Sequence, residues 1–388
     1  MDKKIKLGIN LFFNNSNNSG IVNYIYNIIS ALKTLPTNEQ PIITVFHSDD
    51  APIDYIKSIG YPAILFRLFK SYSSNRIVNG INKISKIFFK TDIYLKLKYF
   101  NKIDVLYPYF GFVDKIFYPV KHKIYWLVDF NNRAYPSHYI DNGEEMLAFQ
   151  TELTNSDKHI VLSSNALLTE LKEYYPNYKN TVSILNFACS LPDLSGQDID
   201  QLLLKFNISK PYFMSPNQFW EHKNQLTLIK ALSILKETNR LNFKVVFTGS
   251  TLVNRGKGHI LSTLQTMVQN HGLNDYVLFL GIVDRNEQLT LMKYADGLIQ
   301  PSLYEGWSTL VEEAKALNNN IVLSNLPVHI EQDCVNSYFF DPNNADQLAD
   351  VLVESLNNKN INIINYDDNI KKFGYDMLNI LKKELQRN

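Results

Sequence analysis

The chain has 388 residues, of which 45% are hydrophobic and 20% are charged, and its formal net charge is +1. This composition is typical of a globular protein of about two domains, and the near-zero charge excludes a whole-chain polyelectrolyte binder. The two cysteines, Cys189 and Cys334, lie far apart, which excludes a disulfide framework or CxxC metal knuckle and favours a reducing compartment.

The N-terminal sequence, MDKKIKLGINLFF, lacks the long apolar core and the small-residue cleavage site of a secretory signal. No window contains the roughly 18 apolar residues that span a bilayer. We therefore expect a cytoplasmic protein, and attachment to the inner face of the cell membrane stays open.

The chain opens with a strand-like run, IKLGINLFF, a polar loop, NNSNNSG, and a helical pattern, IVNYIYNIISAL. These three segments predict the beginning of a βαβ unit. Further strand-like runs are PIITVFH, IDVLYPYF, KIYWLVDF, KHIVLSS and TVSILNF. The helical patterns EEMLAFQTELTNS and NALLTELKEYY lie between some of them.

A polar stretch, CSLPDLSGQDIDQ, is the predicted domain boundary. The alternation then restarts with the strand-like runs PYFMSP, FKVVFTG, YVLFLG, DGLIQPS, NIVLSN and SYFFDP. The predicted helices between them begin near Lys223, Gly258, Asn286, Thr309, Pro327 and Ala345. Strands that alternate with helices predict parallel sheets covered on both faces.

The predicted fold is α/β, with two Rossmann-like doubly wound domains that face each other across a cleft. The N-terminal domain is placed at residues 1–195 and the C-terminal domain at 196–365. A helix at 366–388 is expected to pack back on the first domain. Ligands of such sheets bind beyond the carboxyl ends of the strands.

Residues 66–102 form a basic and aromatic segment, with nine lysines and arginines against one acid, Asp92, and eight aromatic residues between them. An anionic membrane surface would attract such a segment. A solvated helix pair whose aromatic residues are ordinary core explains the pattern equally well. No signature of a nucleic-acid module accompanies it, so a nucleic-acid partner is not expected.

The segment PSLYEGWSTLVEEAKALN, residues 301–318, contains three glutamates. It reads as the end of a buried strand, a turn and a helix, so Glu305 lies at the carboxyl end of a parallel strand. The helix N-terminus offers N–H groups and a positive dipole end, which suit phosphate. Thr309 and Glu312 fit a capping box, which predicts a solvated Glu312, whereas Glu313 flanks the apolar stripe and can face the cleft.

Glu305 and Glu313 are separated by seven residues, which resembles the E-x7-E motif of retaining glycosyltransferases of family 4, with the GT-B fold. LIQPSLYEGWSTLVEEAKALNNNIVLSNLPVHIEQ resembles the signature segment of that family. SPNQFWEHKNQLTLIKALSIL resembles its phosphate-site segment, in the subgroup that reads N-Q-F-W-x-H-K-N. YWLVDFNNRAYPSHY and HIVLSSNALLTELKEYYP resemble first-domain segments, so the resemblance spans most of the chain.

The resemblance implies a retaining, metal-independent transfer of a sugar from a nucleotide-sugar to a saccharide or lipid-linked saccharide, in bacterial surface polysaccharide synthesis. Residues 1–195 would be the acceptor domain and 196–365 the donor domain. Glu305 would contact the donor sugar without acting as a covalent nucleophile, Glu313 would accept hydrogen bonds from the ribose, and Lys223 would bind the phosphates. The other donor-binding residues implied are Asn217, Gln218, Gly20, Val283, Gly306, Trp307, Ser308, Thr309 and Leu310.

The chain departs from the family pattern at three positions. Asn217 and Gln218 replace the usual arginine before Lys223, so amide donors would substitute for a fixed positive charge. The Gly-Gly loop of the first domain is reduced to Gly20. The usual histidine before Asp129 is absent; we predict Asp129 to be catalytic, and a strand-end aspartate that caps a loop is the alternative.

No cofactor is expected. No histidine and aspartate cluster has metal-ligand spacing, and no D-x-D element lies at a strand end. The basic stretch RGKGH, residues 255–259, is not a Walker P-loop. A sugar-nucleotide epimerase of the same architecture, a GT-B phosphorylase and a nucleotide-sugar-binding protein without turnover stay open as alternatives.

Overall fold

A computed structural model of the chain describes residues 4–12, 19–70, 75–89, 92–100, 102–110, 120–139, 141–251, 260–332, 334–358 and 361–387. The strands are β1 (Lys6–Leu11), β2 (Ile42–His47), β3 (Ile64–Leu68), β4 (Val105–Tyr109), β5 (His122–Trp126), β6 (His159–Leu162), β7 (Thr181–Ile184), β8 (Tyr212–Ser215), β9 (Lys244–Phe247), β10 (Val277–Phe279), β11 (Gly297–Gln300), β12 (Ile321–Ser324) and β13 (Ser337–Phe340). The helices are α1 (Ser19–Lys33), α2 (Ile53–Lys57), α3 (Arg76–Phe89), α4 (Ile93–Leu95), α5 (Asn131–Ala134), α6 (Glu144–Thr154), α7 (Asn165–Tyr174), α8 (Ile199–Lys205), α9 (Gln225–Glu237), α10 (Leu261–Asn270), α11 (Arg285–Tyr294), α12 (Thr309–Leu317), α13 (Pro327–Glu331), α14 (Ala345–Asn357) and α15 (Asp367–Leu385). Short 3₁₀ turns cover Pro136–His138 and Glu221–Lys223, and Lys96–Phe100 is a single π-helical turn.

The chain divides into two units. The first contains Met1–Val128, Glu145–Ser190 and Asp367–Asn388, and the second contains Asp129–Glu144 and Leu191–Tyr366. The division therefore falls slightly before the predicted boundary at 195, and α15 groups with the first unit.

Residues 129–144 group with the second unit, although the sequence prediction places them in the first domain. Their contacts give the physical reason. The backbone N–H of Phe130 donates to the hydroxyl of Tyr304 at 2.8 Å. His138 Nε2 lies 3.5 Å from Glu221 Oε2, and its ring packs beside those of Trp220 and Tyr135.

The first unit is built on a parallel sheet with the strand order β3-β2-β1-β4-β5-β6-β7. β1 and β4 are almost fully buried, because helices cover both faces of such a sheet. α15 packs against α1 and buries Phe373, Met377 and Leu381. A Cβ at Gly374 would collide with the carbonyl oxygen of Ala31, so this contact needs glycine.

The second unit is built on a parallel sheet with the order β10-β9-β8-β11-β12-β13. Side chains of α9, α10 and α14 form a buried cluster on one face. Side chains of α8, α11 and α12 form another on the opposite face. This arrangement confirms the predicted α/β class with two doubly wound sheets. The strand order reverses between β8 and β11, which is where ligands of such sheets bind.

None of the helices described has the length and apolar character that crossing a bilayer demands.

Candidate active site

Two loops of the second unit meet where its strand order reverses. One follows β8 and contains Asn217 and Lys223, and the other follows β11 and contains Glu305 and Ser308. The N–H of Leu303 in the second loop donates to the carbonyl of His222 in the first at 2.7 Å. The predicted donor residues on these two loops are therefore brought together by the sheet topology.

Gly249 fixes the position of the first loop. It follows β9, has a φ of +155°, and a Cβ there would lie 2.5 Å from the carbonyl oxygen of Asn217. A side chain at this position would therefore push the loop away from the neighbouring strand.

Glu305 is the centre of the hydrogen-bond network at these loops. Its Oε1 accepts hydrogen bonds from Lys223 Nζ at 2.6 Å, Gln300 Nε2 at 2.6 Å and Ser302 Oγ at 2.7 Å. Asn217 Nδ2 donates to Gln300 Oε1 at 2.8 Å, so the Asn217 side chain orients Gln300. Sequence reasoning missed Gln300 and Ser302, although both lie in the run LIQPSLYE beside Glu305.

Lys223 makes Glu305 an ionised carboxylate. Burial raises the pKa of Glu305 most strongly, but the charge and hydrogen bond of Lys223, together with His329 and His222, hold the pKa below its ordinary value. Burial and Lys223 lower the pKa of His222 to about 3, and burial lowers the pKa of His329. Both imidazoles are therefore neutral near pH 7, and Lys223 supplies the positive charge beside Glu305.

Asp129 lies in the electrostatic reach of both Glu305 and Lys223. Burial raises the pKa of Asp129, the negative charge of Glu305 raises it further, and Lys223 opposes this effect. Asp129 Oδ1 also accepts a hydrogen bond from the N–H of Asn131 at 2.9 Å, which is the loop-capping contact of the alternative interpretation. The cap does not preclude a catalytic role, so that role stays a prediction.

Glu313 is buried on α12 and forms an ion pair with Arg285, the first residue of α11. Arg285 Nη1 also lies 3.3 Å from Gln288 Oε1. Sequence reasoning missed Arg285. The available signal was its position four residues after the strand run YVLFLG, at the same carboxyl edge as Glu305.

The prediction that Glu312 is solvated and caps α12 is wrong. Glu312 is only 2% exposed. It accepts hydrogen bonds from Lys315 Nζ at 3.1 Å, Gln332 Nε2 at 3.0 Å and the hydroxyl of Tyr366 at 2.6 Å. Helical periodicity could not show this, because Gln332 and Tyr366 come from distant parts of the chain and cover that side of the helix.

Gln332 braces the turn that precedes α12. Its Oε1 accepts from the N–H of Ser308 at 3.0 Å, and its Nε2 donates to the carbonyl of Ser308 at 2.9 Å. One of the amides predicted to bind phosphate is therefore already hydrogen-bonded inside the protein. The hydroxyl of Ser308 is buried and lacks a hydrogen-bond partner among the described residues, which suits a polar ligand at this turn.

The rest of the predicted turn lies around the start of α12. Gly306 and Leu310 are buried, and Trp307 and Thr309 are partly exposed. Thr309 begins the helix, as predicted, but Ser308 is its N-cap and makes no capping hydrogen bond through its side chain.

The remaining predicted donor residues are Gln218 and Val283 in the second unit and Gly20 in the first. Gln218 is exposed, and its Oε1 accepts from the N–H of Ser250 at 2.9 Å. Val283 is partly buried in the loop between β10 and α11. Gly20 is the second residue of α1 in the first unit, with nothing within 4 Å of a Cβ built there.

The stretch RGKGH lies outside the described residues. Within the ranges that the structure covers, no group of three or more histidine, cysteine, aspartate or glutamate side chains could hold a metal ion.

Comparison with known proteins shows what this chain is similar to. Residues 201–377, which include both loops, match the family described as glycosyl transferases group 1. The O-antigen chain mannosyltransferase RfbU of Salmonella typhimurium is 23% identical over 381 residues, covering 94% of this chain and 97% of RfbU. A galactosyltransferase of Escherichia coli that acts on α-D-GlcNAc-diphosphoundecaprenol is 24% identical over 188 residues, 48% of this chain and 46% of that enzyme.

Solved structures show the same fold. WaaG, a glycosyltransferase involved in lipopolysaccharide biosynthesis, superposes with a TM-score of 0.61 at 14% identity and covers 98% of each chain. Anabaena HepE in complex with UDP and glucose superposes with a TM-score of 0.63 at 14% identity, covering 98% of this chain and 95% of HepE. The predicted GT-B fold is thereby confirmed.

Proposed function

We propose that the protein is a retaining, metal-independent glycosyltransferase that moves a sugar from a nucleotide-sugar to a saccharide in bacterial surface polysaccharide synthesis. The observation that carries this proposal is the partly buried Glu305–Lys223 pair at the reversal point of the second sheet. An anion-binding lysine beside an ionised carboxylate suits a ligand that has a diphosphate at one end and sugar hydroxyls at the other.

The Lys223 ammonium stabilises the negative charge that develops on the leaving diphosphate. When the diphosphate binds, it competes with Glu305 for this ammonium, and the Glu305 carboxylate, still held by Gln300 and Ser302, can accept a hydrogen bond from the donor sugar in its place. Glu305 orients that sugar and does not attack its anomeric carbon, so a trapped glycosyl–Glu305 adduct would contradict this role. Glu313, held by Arg285, accepts from the ribose hydroxyls, and Asp129 approaches the reacting groups from residues 129–144.

A lipid-linked saccharide is the acceptor that we propose. The Salmonella typhimurium relative is named for O-antigen chains, and the Escherichia coli relative is named for a diphosphoundecaprenol acceptor. An enzyme that uses such an acceptor works at the inner face of the cell membrane.

The proposal is tested by a thermal-shift screen with UDP-, GDP-, ADP-, dTDP- and CMP-sugars. We expect one nucleotide class to raise the Tm of the wild type and of Lys230→Met, a matched exposed lysine on α9, but not of Lys223→Met. Equal shifts in all three proteins would contradict the role of Lys223.

Product analysis then tests the reaction itself. We expect transfer that persists in EDTA and gives a product whose anomeric configuration, read by NMR, matches that of the donor. An inverted product would overturn retention. Conversion of the donor to a sugar isomer without acceptor would identify an epimerase, release of a sugar phosphate with inorganic phosphate would identify a phosphorylase, and binding without turnover would identify a binding protein.

A further inference from the structure

Helix α3 in the first unit carries four isoleucines on its exposed side. Ile77, Ile81, Ile84 and Ile87 are 72%, 56%, 56% and 65% exposed, whereas the polar residues Asn82 and Ser85 are 7% and 2% exposed. A surface helix of a globular protein ordinarily has the opposite arrangement, with polar residues outside and apolar residues toward the core.

A groove extends this apolar surface toward the next helical turns. It has a volume of about 400 Å³ and is lined mainly by Val78, Ile81, Ile93, Tyr94 and Leu97. Leu97 is itself 66% exposed. We refer to the exposed side chains of Ile77, Ile81, Ile84, Ile87 and Leu97 as the isoleucine face.

The charges beside the isoleucine face are positive. Lys83, Lys96 and Lys98 are exposed around it. The single acid of residues 66–102, Asp92, is buried at the N-cap of α4, where its Oδ1 accepts from the N–H of Leu95. An apolar stripe bordered by lysines is complementary to a leaflet with anionic headgroups, whereas a second copy would bring like charges together.

The aromatic residues of the segment behave differently. Tyr99 and Phe100 are buried and pack with Phe46 and Phe69 in the core of the first unit. The core interpretation of the sequence pattern is therefore correct for Tyr99 and Phe100, whereas the isoleucine face consists of exposed aliphatic side chains.

We propose that the isoleucine face inserts into an anionic lipid leaflet, with Lys83, Lys96 and Lys98 at the level of the headgroups. This deepens the proposed function, because the benefit of membrane binding to catalysis rests on a lipid-linked acceptor. The proposal of membrane binding itself rests on the isoleucine face and its three lysines, and not on the identity of the acceptor.

Vesicle flotation of the full chain tests this inference. We expect the wild type to float with vesicles that contain phosphatidylglycerol, less so in high salt, and not with pure phosphatidylcholine. Ile81→Ser/Ile84→Ser is expected to lower the partition coefficient by about tenfold or more, because it removes two inserted side chains. The control is Leu204→Ser in the second unit, which removes a leucine that is 83% exposed and leaves flotation unchanged.

Two further measurements distinguish membrane insertion from misfolding of the variant and from dimerisation. The nucleotide-sugar thermal shift of Ile81→Ser/Ile84→Ser is expected to equal that of the wild type, so its loss of flotation is not a loss of folding or of donor binding. Sedimentation without lipid tests whether a second copy of the chain covers the isoleucine face instead. A wild-type dimer that this variant dissociates, or equal flotation of variant and wild type, would overturn membrane insertion, and neither result bears on sugar transfer.

Discussion

The turn before α12 in the second unit and residues 66–102 in the first unit place charge in opposite ways. Around α12, Glu305, Glu312 and Glu313 are each buried beside a cation that lies in the same unit. In the described part of residues 66–102, lysines such as Lys83, Lys96 and Lys98 face the solvent and apolar side chains lie exposed between them. The carboxylates of the first region are paired within the chain, whereas the second region leaves apolar side chains exposed among its described residues.

The difference predicts how each region responds to substitution. A buried charge that loses its partner costs several kcal/mol, because it has given up hydration and retains no compensating contact. An exposed pair costs little, because water replaces the partner. Substitutions of the buried charges near α12 are therefore expected to destabilise the protein strongly, and substitutions of exposed charges only weakly.

The largest loss of stability is expected at Glu312, the glutamate that the sequence analysis predicted to be solvated. Glu312→Ala leaves Lys315 buried without its carboxylate, and we expect it to lower the free energy of unfolding by about 3–5 kcal/mol. The measurement is urea unfolding at pH 7. Asp350→Ala, which breaks the exposed pair with Arg240, is the control and is expected to change nothing measurable. Equal losses in the two variants would refute the contrast between the regions.

The next effect concerns catalysis. Glu305→Gln keeps the shape of the side chain but removes the negative charge beside Lys223, and we expect kcat to fall about 10²–10³-fold. Glu354→Gln, an exposed glutamate of the same unit, is the matched control and should keep full activity. If Glu305→Gln folds normally by circular dichroism and retains a third of the wild-type rate, Glu305 does not have the proposed role in the active site.

The smallest loss of stability is expected in the first unit, where the buried carboxylate of Glu384 connects α15 to the sheet. Glu384 is bonded by His122 at 3.3 Å, His159 at 3.1 Å and Arg387 at 3.1 Å. Burial raises the pKa of Glu384, but these partners together hold it below its ordinary value of 4.5. The stabilisation is thus present above about pH 4.5 and is lost as the pH falls through the lowered pKa.

Urea unfolding of the wild type and of Glu384→Gln at several pH values measures this contribution. The wild type is expected to be the more stable protein near pH 6, and the difference should shrink as the pH falls below about 4.5. A difference that stays constant down to pH 3 would show that Glu384 acts through packing and not through its charge.

The sequence predicted the second unit best. Buried parallel strands are continuous apolar runs, so the run DGLIQPS located β11, and the helices at Thr309, Pro327 and Ala345 begin where the patterns placed them. The predicted helix start near Lys223 is slightly early, because Lys223 ends a 3₁₀ turn and α9 begins only at Gln225.

The partners of the buried charges could not be predicted in the same way. Arg285 and Glu313 are 28 positions apart, and Glu312 and Tyr366 are 54 positions apart. Periodicity describes one element at a time, whereas these contacts depend on which elements become neighbours in space. The outward isoleucines of α3 were missed for the same reason, since an apolar stripe on a helix does not state whether the protein covers it.

The position of α15 bears on the order in which the chain is able to fold during synthesis. α15 completes the first unit through Phe373, Met377 and Leu381, yet it follows the whole of the second unit in the sequence. The ribosome therefore releases the second unit before the first has its full core. Until α15 arrives, the surface of α1 that it covers is open to water, so the nascent first unit is the stage at which a chaperone would have most to protect.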